Sequence, residues 1–332
     1  HRPSKIFHHR IGDPASADRL IYAEDDPGLF IDVGGTRDNQ WIIISASDHE
    51  TSEHRILPAS RLDAKPLVVA VREPGLQYDL EEGGDEFFIL TNADGAKDFK
   101  VMTAPAADPV RANWRELIPH DPGRLILSLL SFKDFLVRLE RKDGLPRIVV
   151  RDRASGEEHS ISFPEEAYSL GLGGSYEYDT DTMRFTYSSM TTPAQVFDYN
   201  MRTRQRTLRK TQEVPSGHNP ADYVTRRLMA PASDGELVPV SLVHRAGLKL
   251  DGSAPLLLYG YGSYGHAIPA SFNTHVLSLV DRGFVFAIAH VRGGKDKGYA
   301  WYEDGKRAKK ANTFTDFIAA ARHLHREGYS SP

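Results

Sequence analysis

A run of repeated short β-strands followed by an open α/β sheet is the fold class this sequence predicts. Three observations carry it. Apolar strands recur at a near-constant period over the first two-thirds of the chain, and beyond residue 217 they give way to longer apolar strands separated by helix-patterned segments. The length of 332 residues calls for two domains rather than one.

The segments beginning at Trp41, Phe87, Phe135 and Phe185 share one pattern: an apolar strand, a polar turn, then a second alternating strand. Their starts lie 46, 48 and 50 residues apart. The turns read SDHETSE, NADGAKD, RKDGLP and MTTPAQ, all rich in residues that favour turns. Residues 29–33 and 77–80 read as neighbouring strands of two of these units. A period near ~45 residues with four short strands per unit is the signature of a β-propeller. An irregular all-β sandwich is the competing reading. The expected division is propeller blades over 1–217 and the N-terminal half of an α/β domain over 218–332. His8 and His9 have no partner at ligand spacing and read as surface or strand residues.

In the last third, 237–243, 255–259 and 283–290 read as strands that are apolar throughout, as in sheets covered on both faces. Residues 271–281 suit a helix with Phe272, Val276, Leu279 and Val280 on one side. The clearest helix is 313–327. Thr313 and Asp316 resemble a capping box, Phe314, Phe317, Ile318, Ala321 and Leu324 fall at helical spacing, and Gly328 is a natural stop. Strands alternating with helices predict a mainly parallel sheet, with ligands held beyond the carboxyl ends of its strands. The stretch LLLYGYGSYG at 256–265 leaves one such end, and VRGG at 291–294 leaves the next. A loop alternating glycine with tyrosine is either a tight turn or a place where backbone and hydroxyl approach a ligand.

Composition narrows the function classes. The chain is 40% hydrophobic and 26% charged with a net charge of −4, which gives no reason to expect nucleic acid or an anionic membrane as partner. The longest apolar run, 284–289, is too short to span a bilayer. Cysteine is absent, so no disulfide and no thiolate metal site is expected. This fits the cytoplasm and leaves the periplasm open. The first residue is histidine with no signal-peptide pattern after it, so the start is expected to be truncated or processed. No G-x-S-x-G elbow of an α/β-hydrolase is present: Gly173-Gly-Ser175 is followed by Tyr176 and Glu177, and Ser263 has Tyr261 two residues before it. The helix ending at Gly328 would precede the elbow strand, so the chain is expected to stop short of its nucleophile.

LLLYGYGSYG at 256–265, LVDRGFV at 279–285, HVRGG at 290–294, WYEDGK at 301–306 and KANTFTD at 310–316 resemble the prolyl oligopeptidase family of serine peptidases, most of all its oligopeptidase B branch. YSSMTTP at 187–193 and EVP at 213–215 extend the likeness into the last blade. The resemblance implies a β-propeller, seven-bladed when complete with about four to five blades here, capping an α/β-hydrolase domain of which the first half is present. It implies a serine-type endopeptidase whose propeller gates access, so that short peptides are cut, after Arg or Lys. The Ser, Asp and His of its triad would lie beyond residue 332, and none of the 14 histidines here takes that role. Triad chemistry needs neither cofactor nor metal. The implied partners are short peptides and the missing C-terminal part of the catalytic domain.

By the same resemblance Tyr261 donates a hydrogen bond to the oxyanion, beside a backbone N–H next to the missing serine. Tyr264 forms an aromatic wall of the substrate pocket, and Gly260 and Gly262 let the substrate backbone come close. Two departures stand out. Arg292-Gly-Gly-Lys-Asp296 replaces the usual Arg-Gly-Gly-Gly-Glu, and Arg292 and Asp296 read as structural. Pro269 and Ser271 stand where some members carry two aspartates, which weakens the case for a paired basic preference. The competing functions are a proline-specific oligopeptidase, an esterase or lipase on the same fold, and a non-catalytic propeller that only binds. Half an α/β sheet would leave a strand edge and an apolar face exposed.

Overall fold

Four four-stranded sheets follow one another along the first two-thirds of the chain in the computed structural model, which describes residues 3–332. An antiparallel ribbon of β1 (Lys5–His8) and β2 (Arg19–Ala23) comes first. The first sheet holds β3 (Phe30–Gly35), β4 (Trp41–Ser47), β5 (Ser52–Pro58) and β6 (Leu67–Val68). The second holds β7 (Tyr78–Glu82), β8 (Glu86–Thr91), β9 (Lys100–Pro105) and β10 (Arg115–Ile118). The third holds β11 (Arg124–Ser131), β12 (Phe135–Lys142), β13 (Leu145–Asp152) and β14 (Glu158–Ser160). The fourth holds β15 (Tyr168–Leu172), β16 (Thr182–Ser189), β17 (Gln195–Asn200) and β18 (Arg206–Thr211). Strands pair in sequence order within each sheet, the arrangement of propeller blades.

The repeat visible in the sequence is the second strand of every blade: β4, β8, β12 and β16. These strands lie inside their sheets, and Phe87, Ile89 and Phe185 on them are fully buried. The fourth strand of the last blade, β18, is exposed at every position, and its sequence RTLRKT carries no apolar rhythm to read.

By contact density the chain falls into two units: residues up to 120 with 129–136 and 176–180, and residues 121–128, 137–175 and 181–332. In the first unit Arg37 serves two adjacent carboxylates of β7. Its Nε lies 3.0 Å from Glu82 Oε1 and its Nη2 3.3 Å from Glu81 Oε2, while Nη2 also donates to the carbonyl of Ser131. Burial, and then the neighbouring Glu82 charge, push the Glu81 carboxyl up to about 7.

In the second unit the last sheet is ordered β19 (Tyr223–Pro231), β20 (Leu237–Arg245), β22 (Val285–Ala289), β21 (Leu256–Tyr259). Of its pairings only β21 with β22 is parallel; β19–β20 and β20–β22 are antiparallel. The expectation of a mainly parallel sheet is therefore corrected. The link between β19 and β20 spans only 232–236, a hairpin too short for a parallel crossover. β21 is likewise not buried on both faces: Leu257 and Tyr259 are 42% and 45% exposed, because β21 is the edge strand of the described sheet.

Cβ atoms alternate across each strand, so Val238, Val240 and Leu242 of β20, with Val285, Ala287 and Ala289 of β22, build one core. That core packs against α2 (Tyr299–Glu303) and α3 (Ala311–Arg326) through Trp301, Ala320 and Leu324. The opposite face puts Val243 and Ile288 against α1 (Thr274–Val280) through Leu277 and Val280. α1 is shorter than 271–281; Asn273 caps it, accepting from the N–H groups of His275 and Val276.

α3 also departs from expectation. It begins before Thr313, so Thr313 and Asp316 are not a capping box. Thr313 Oγ1 donates to the carbonyl of Arg292 at 2.7 Å, and Asp316 is fully buried against the Arg292 side chain. The buried stripe is Thr313, Asp316, Ala319, Ala320 and Leu324, whereas Phe314 and Ile318 point outward, 63% and 48% exposed. The buried ion pair with Arg292 holds Asp316, the position that the sequence pattern assigned to a helix cap. Gly328, at φ +78°, ends the helix as expected.

The Asp316 carboxylate accepts the backbone N–H of Arg292 at 2.9 Å, Nε at 2.9 Å and Nη2 at 2.5 Å. Nη1 donates to Asp234 at 2.6 Å, and the guanidinium lies 5.5 Å from the Trp301 ring centroid. The two aspartates hold the guanidinium above its ordinary range.

Two stability predictions follow from these clusters. Removing one partner of a buried pair strands the other charge, so Asp316→Ala should lose about 3–5 kcal/mol in urea unfolding. Asp316→Ala combined with Arg292→Leu should lose less than the sum of the two single variants. Glu81, with its folded pKa above the usual 4.5, binds its proton better folded than unfolded. Its favourable contribution is present at acid pH and is lost as pH rises from about 4.5 through about 7. Glu81→Gln should remove that loss and stabilise the protein at pH 8 by on the order of 1–3 kcal/mol; equal pH slopes in both proteins would contradict it.

Candidate functional site

The parallel pair β21 and β22 brings two strand ends together, with Tyr259 opposite Ile288. The loop 260–265 leaves one end and 291–296 the other. The tyrosine loop is laid directly on its neighbour: Gly265 N–H donates to the Gly293 carbonyl at 2.9 Å. Gly262 has φ +65°, and a Cβ there would collide with Thr313 Cγ2 and Val291 Cγ2. Gly293 has φ +100°, and a Cβ there would strike the Gly262 carbonyl. Both positions require glycine, for conformation and for space.

The supporting loop is itself fixed. Arg292 is held by Asp316 and Asp234, and its carbonyl accepts from Thr313. Gly293 N–H donates to the Trp301 carbonyl at 3.0 Å, and Trp301 Nε1 donates to the His290 carbonyl at 3.0 Å. Lys310, the residue before α3, closes the arrangement, donating to the Gly262 carbonyl and, at 2.9 Å, to Ser263 Oγ. Burial pulls the Lys310 ammonium below its ordinary range.

On this base the tyrosines face outward. Tyr261 is 45% exposed and Tyr264 is 87% exposed. Among the described residues the Tyr261 hydroxyl has no hydrogen-bond partner, while its ring meets His266 edge to face at 5.9 Å between centroids. Tyr264 adopts φ +55°, uncommon for a residue with a side chain, and this turns its ring away from the core. Tyr259, Tyr261, Tyr264, His266 and Ile268 line an open recess. Gly260 lies under it, against Phe317. An unpartnered hydroxyl on a rigid loop at a strand end can donate to an oxygen of a bound molecule without rearrangement.

The four residues singled out from the sequence, Gly260, Tyr261, Gly262 and Tyr264, thus lie in one loop, with both tyrosine rings in the recess. Sequence reasoning gave no role to His266, which lies outside every quoted motif, or to Lys310, which opens the quoted KANTFTD stretch, and it gave Asp316 another role. Arg292 and Asp296 are buried and internally paired, Asp296 Oδ1 lying 3.0 Å from His290 Nδ1. No described helix is long and apolar enough to cross a membrane.

Comparison with known proteins agrees with this architecture. Residues 1–212 match the family described as prolyl oligopeptidase, N-terminal beta-propeller domain, and 270–332 match the prolyl oligopeptidase family. Dipeptidyl aminopeptidase BI of Pseudoxanthomonas mexicana is 42% identical over 331 residues, covering 98% of this chain and 45% of that protein. Protease 2 of Moraxella lacunata is 34% identical, covering 100% of this chain and 47% of that protein. The structure of oligopeptidase B from Trypanosoma brucei with covalently bound antipain, in its closed form, superposes with a TM-score of 0.91 at 37% identity, covering 100% of this chain and 48% of that one. The chain spans about half the length of the curated relatives it matches. The fold is a partial β-propeller followed by the start of an α/β-hydrolase domain, and the chain belongs to the prolyl oligopeptidase family.

Proposed function

We propose that this chain is the propeller and the opening part of the catalytic domain of a serine oligopeptidase, with Tyr261 donating to the oxyanion. The observation that carries this reading is the half-exposed, unpartnered Tyr261 hydroxyl on a loop clamped at a strand end. Acyl transfer builds negative charge on the carbonyl oxygen, and a preset donor there lowers the barrier by on the order of 3 kcal/mol. A donor that must first break a hydrogen bond to another protein group gives less, and among the described residues Tyr261 has none to break.

In this reading the propeller, 1–217, limits access to short peptides, and 218–332 begins the catalytic domain. Tyr264 flanks the substrate, and Gly260 and Gly262 let its backbone come close. The Ser, Asp and His of the triad come from the rest of the catalytic domain, which would pair with the free edge of β21 and cover Leu257, Phe314 and Ile318. The bond cleaved follows Arg or Lys. A second reading, release of dipeptides from a free N-terminus, draws support from the name of the relative that is 42% identical.

Tyr261→Phe in the full-length enzyme should lower kcat by about 10²–10³-fold with KM little changed; unaltered turnover removes the oxyanion role. Short peptides containing a single Arg, Lys or Pro decide the preference. Cleavage after Arg and Lys is expected, and cleavage after Pro alone would overturn it. N-acetylation should leave the rate intact, whereas a dipeptide-releasing enzyme would lose activity.

A further inference from the structure

A second, more enclosed cavity of about 100 Å³ adjoins the tyrosine recess, and the two share Ile268 in their walls. Its polar lining is Arg141 of β12, Tyr168 and Ser169 of β15, Ser241 of β20, His290 and Asp296. Ser241, His290 and Asp296 form a chain of hydrogen bonds: Ser241 Oγ lies 2.9 Å from His290 Nε2, and His290 Nδ1 lies 3.0 Å from Asp296 Oδ1. With Nδ1–H donating to Asp296, Nε2 accepts a hydrogen bond from the Ser241 hydroxyl. These are the residue types of a nucleophilic triad, but Ser241 sits mid-strand between β19 and β22, with no turn to raise its hydroxyl. The chain of hydrogen bonds is a fixed polar wall.

Arg141 differs from that wall. Among the described residues its guanidinium makes no hydrogen bond and no ion pair, yet it is half-buried and lines the cavity. Burial pulls it below the usual guanidinium range, and the more distant Asp296 only partly offsets this. Asp296 is already engaged with His290. A partly desolvated guanidinium with open donors facing a cavity is matched by a carboxylate, which takes two of its N–H groups at once.

We propose that Arg141 and this cavity form a subsite for the terminal carboxylate of a short peptide lying in the tyrosine recess, so that free-acid peptides are preferred over amides. The proposal rests on the peptidase reading above. Asp296 keeps the local charge near balance, so the preference is moderate.

The test compares kcat/KM of the full-length enzyme for one short peptide as its free acid, as its C-terminal amide, and as an amide carrying an added glutamate. The acid should exceed the amide by about tenfold, a difference of about 1.4 kcal/mol. Arg141→Gln should bring the ratio near one, and Arg141→Lys should retain part of it, with thermal melting showing that both variants fold. A ratio near one in the wild type, or an unchanged ratio in Arg141→Gln, overturns the subsite. A glutamate amide that performs as well as the acid would overturn the terminal assignment in favour of an acidic side chain. If the wild type cuts no peptide, the peptidase reading has failed instead. Calorimetric titration with the acid and the amide then decides the subsite: binding of the acid alone upholds it, and equal or no binding overturns it.

Discussion

The ion pair between Arg292 and Asp316 fixes everything that faces the recess. It joins the loop after β22 to the body of α3 through three donor groups of Arg292 on one buried carboxylate. That loop is the floor on which the tyrosine loop lies, at a separation only glycine permits at positions 262 and 293. A buried pair of this kind contributes little net stability against an apolar replacement, because desolvation offsets most of the attraction. Its value is geometric: one arrangement satisfies all the hydrogen bonds, so the loop has one place to be. Rigidity there is what an oxyanion donor needs, since a donor positioned in advance does not reorganise as charge develops.

The propeller was legible because its signal is repetition. The second strand of each blade lies inside its sheet and carries buried apolar side chains, so a similar apolar run recurs near every ~45 residues, as expected of blade repeats. The edge strands, such as β18 with every side chain exposed, leave no such trace. The start of the hydrolase domain was legible as strands and helices but not as pairing. Apolar runs mark burial, and burial does not record direction; only the shortness of the link at 232–236 pointed to an antiparallel hairpin. The same limit explains β21, whose leucines read as buried although the strand lies at an edge.

The site divides in the same way. Gly260, Tyr261, Gly262 and Tyr264 could be read because glycine alternating with tyrosine at the end of an apolar strand is an unusual use of both residue types. Asp316 was misread, because threonine followed three residues later by an acid is also how many helices begin. Its true partner lies 24 positions away in sequence, and no local pattern encodes so distant a pair. Arg141 was invisible for a related reason: an arginine near the end of a strand is ordinary, and only the fold reveals that its guanidinium lacks a partner.

The most direct test is a crystal structure of the full-length enzyme with a peptide aldehyde captured by its nucleophilic serine. The aldehyde oxygen then stands where the oxyanion would form. The Tyr261 hydroxyl should lie within about 2.6–3.1 Å of that oxygen, with the 260–265 and 291–296 loops as described. A Tyr261 side chain turned away from the oxygen, with another group occupying the donor position, would contradict the account.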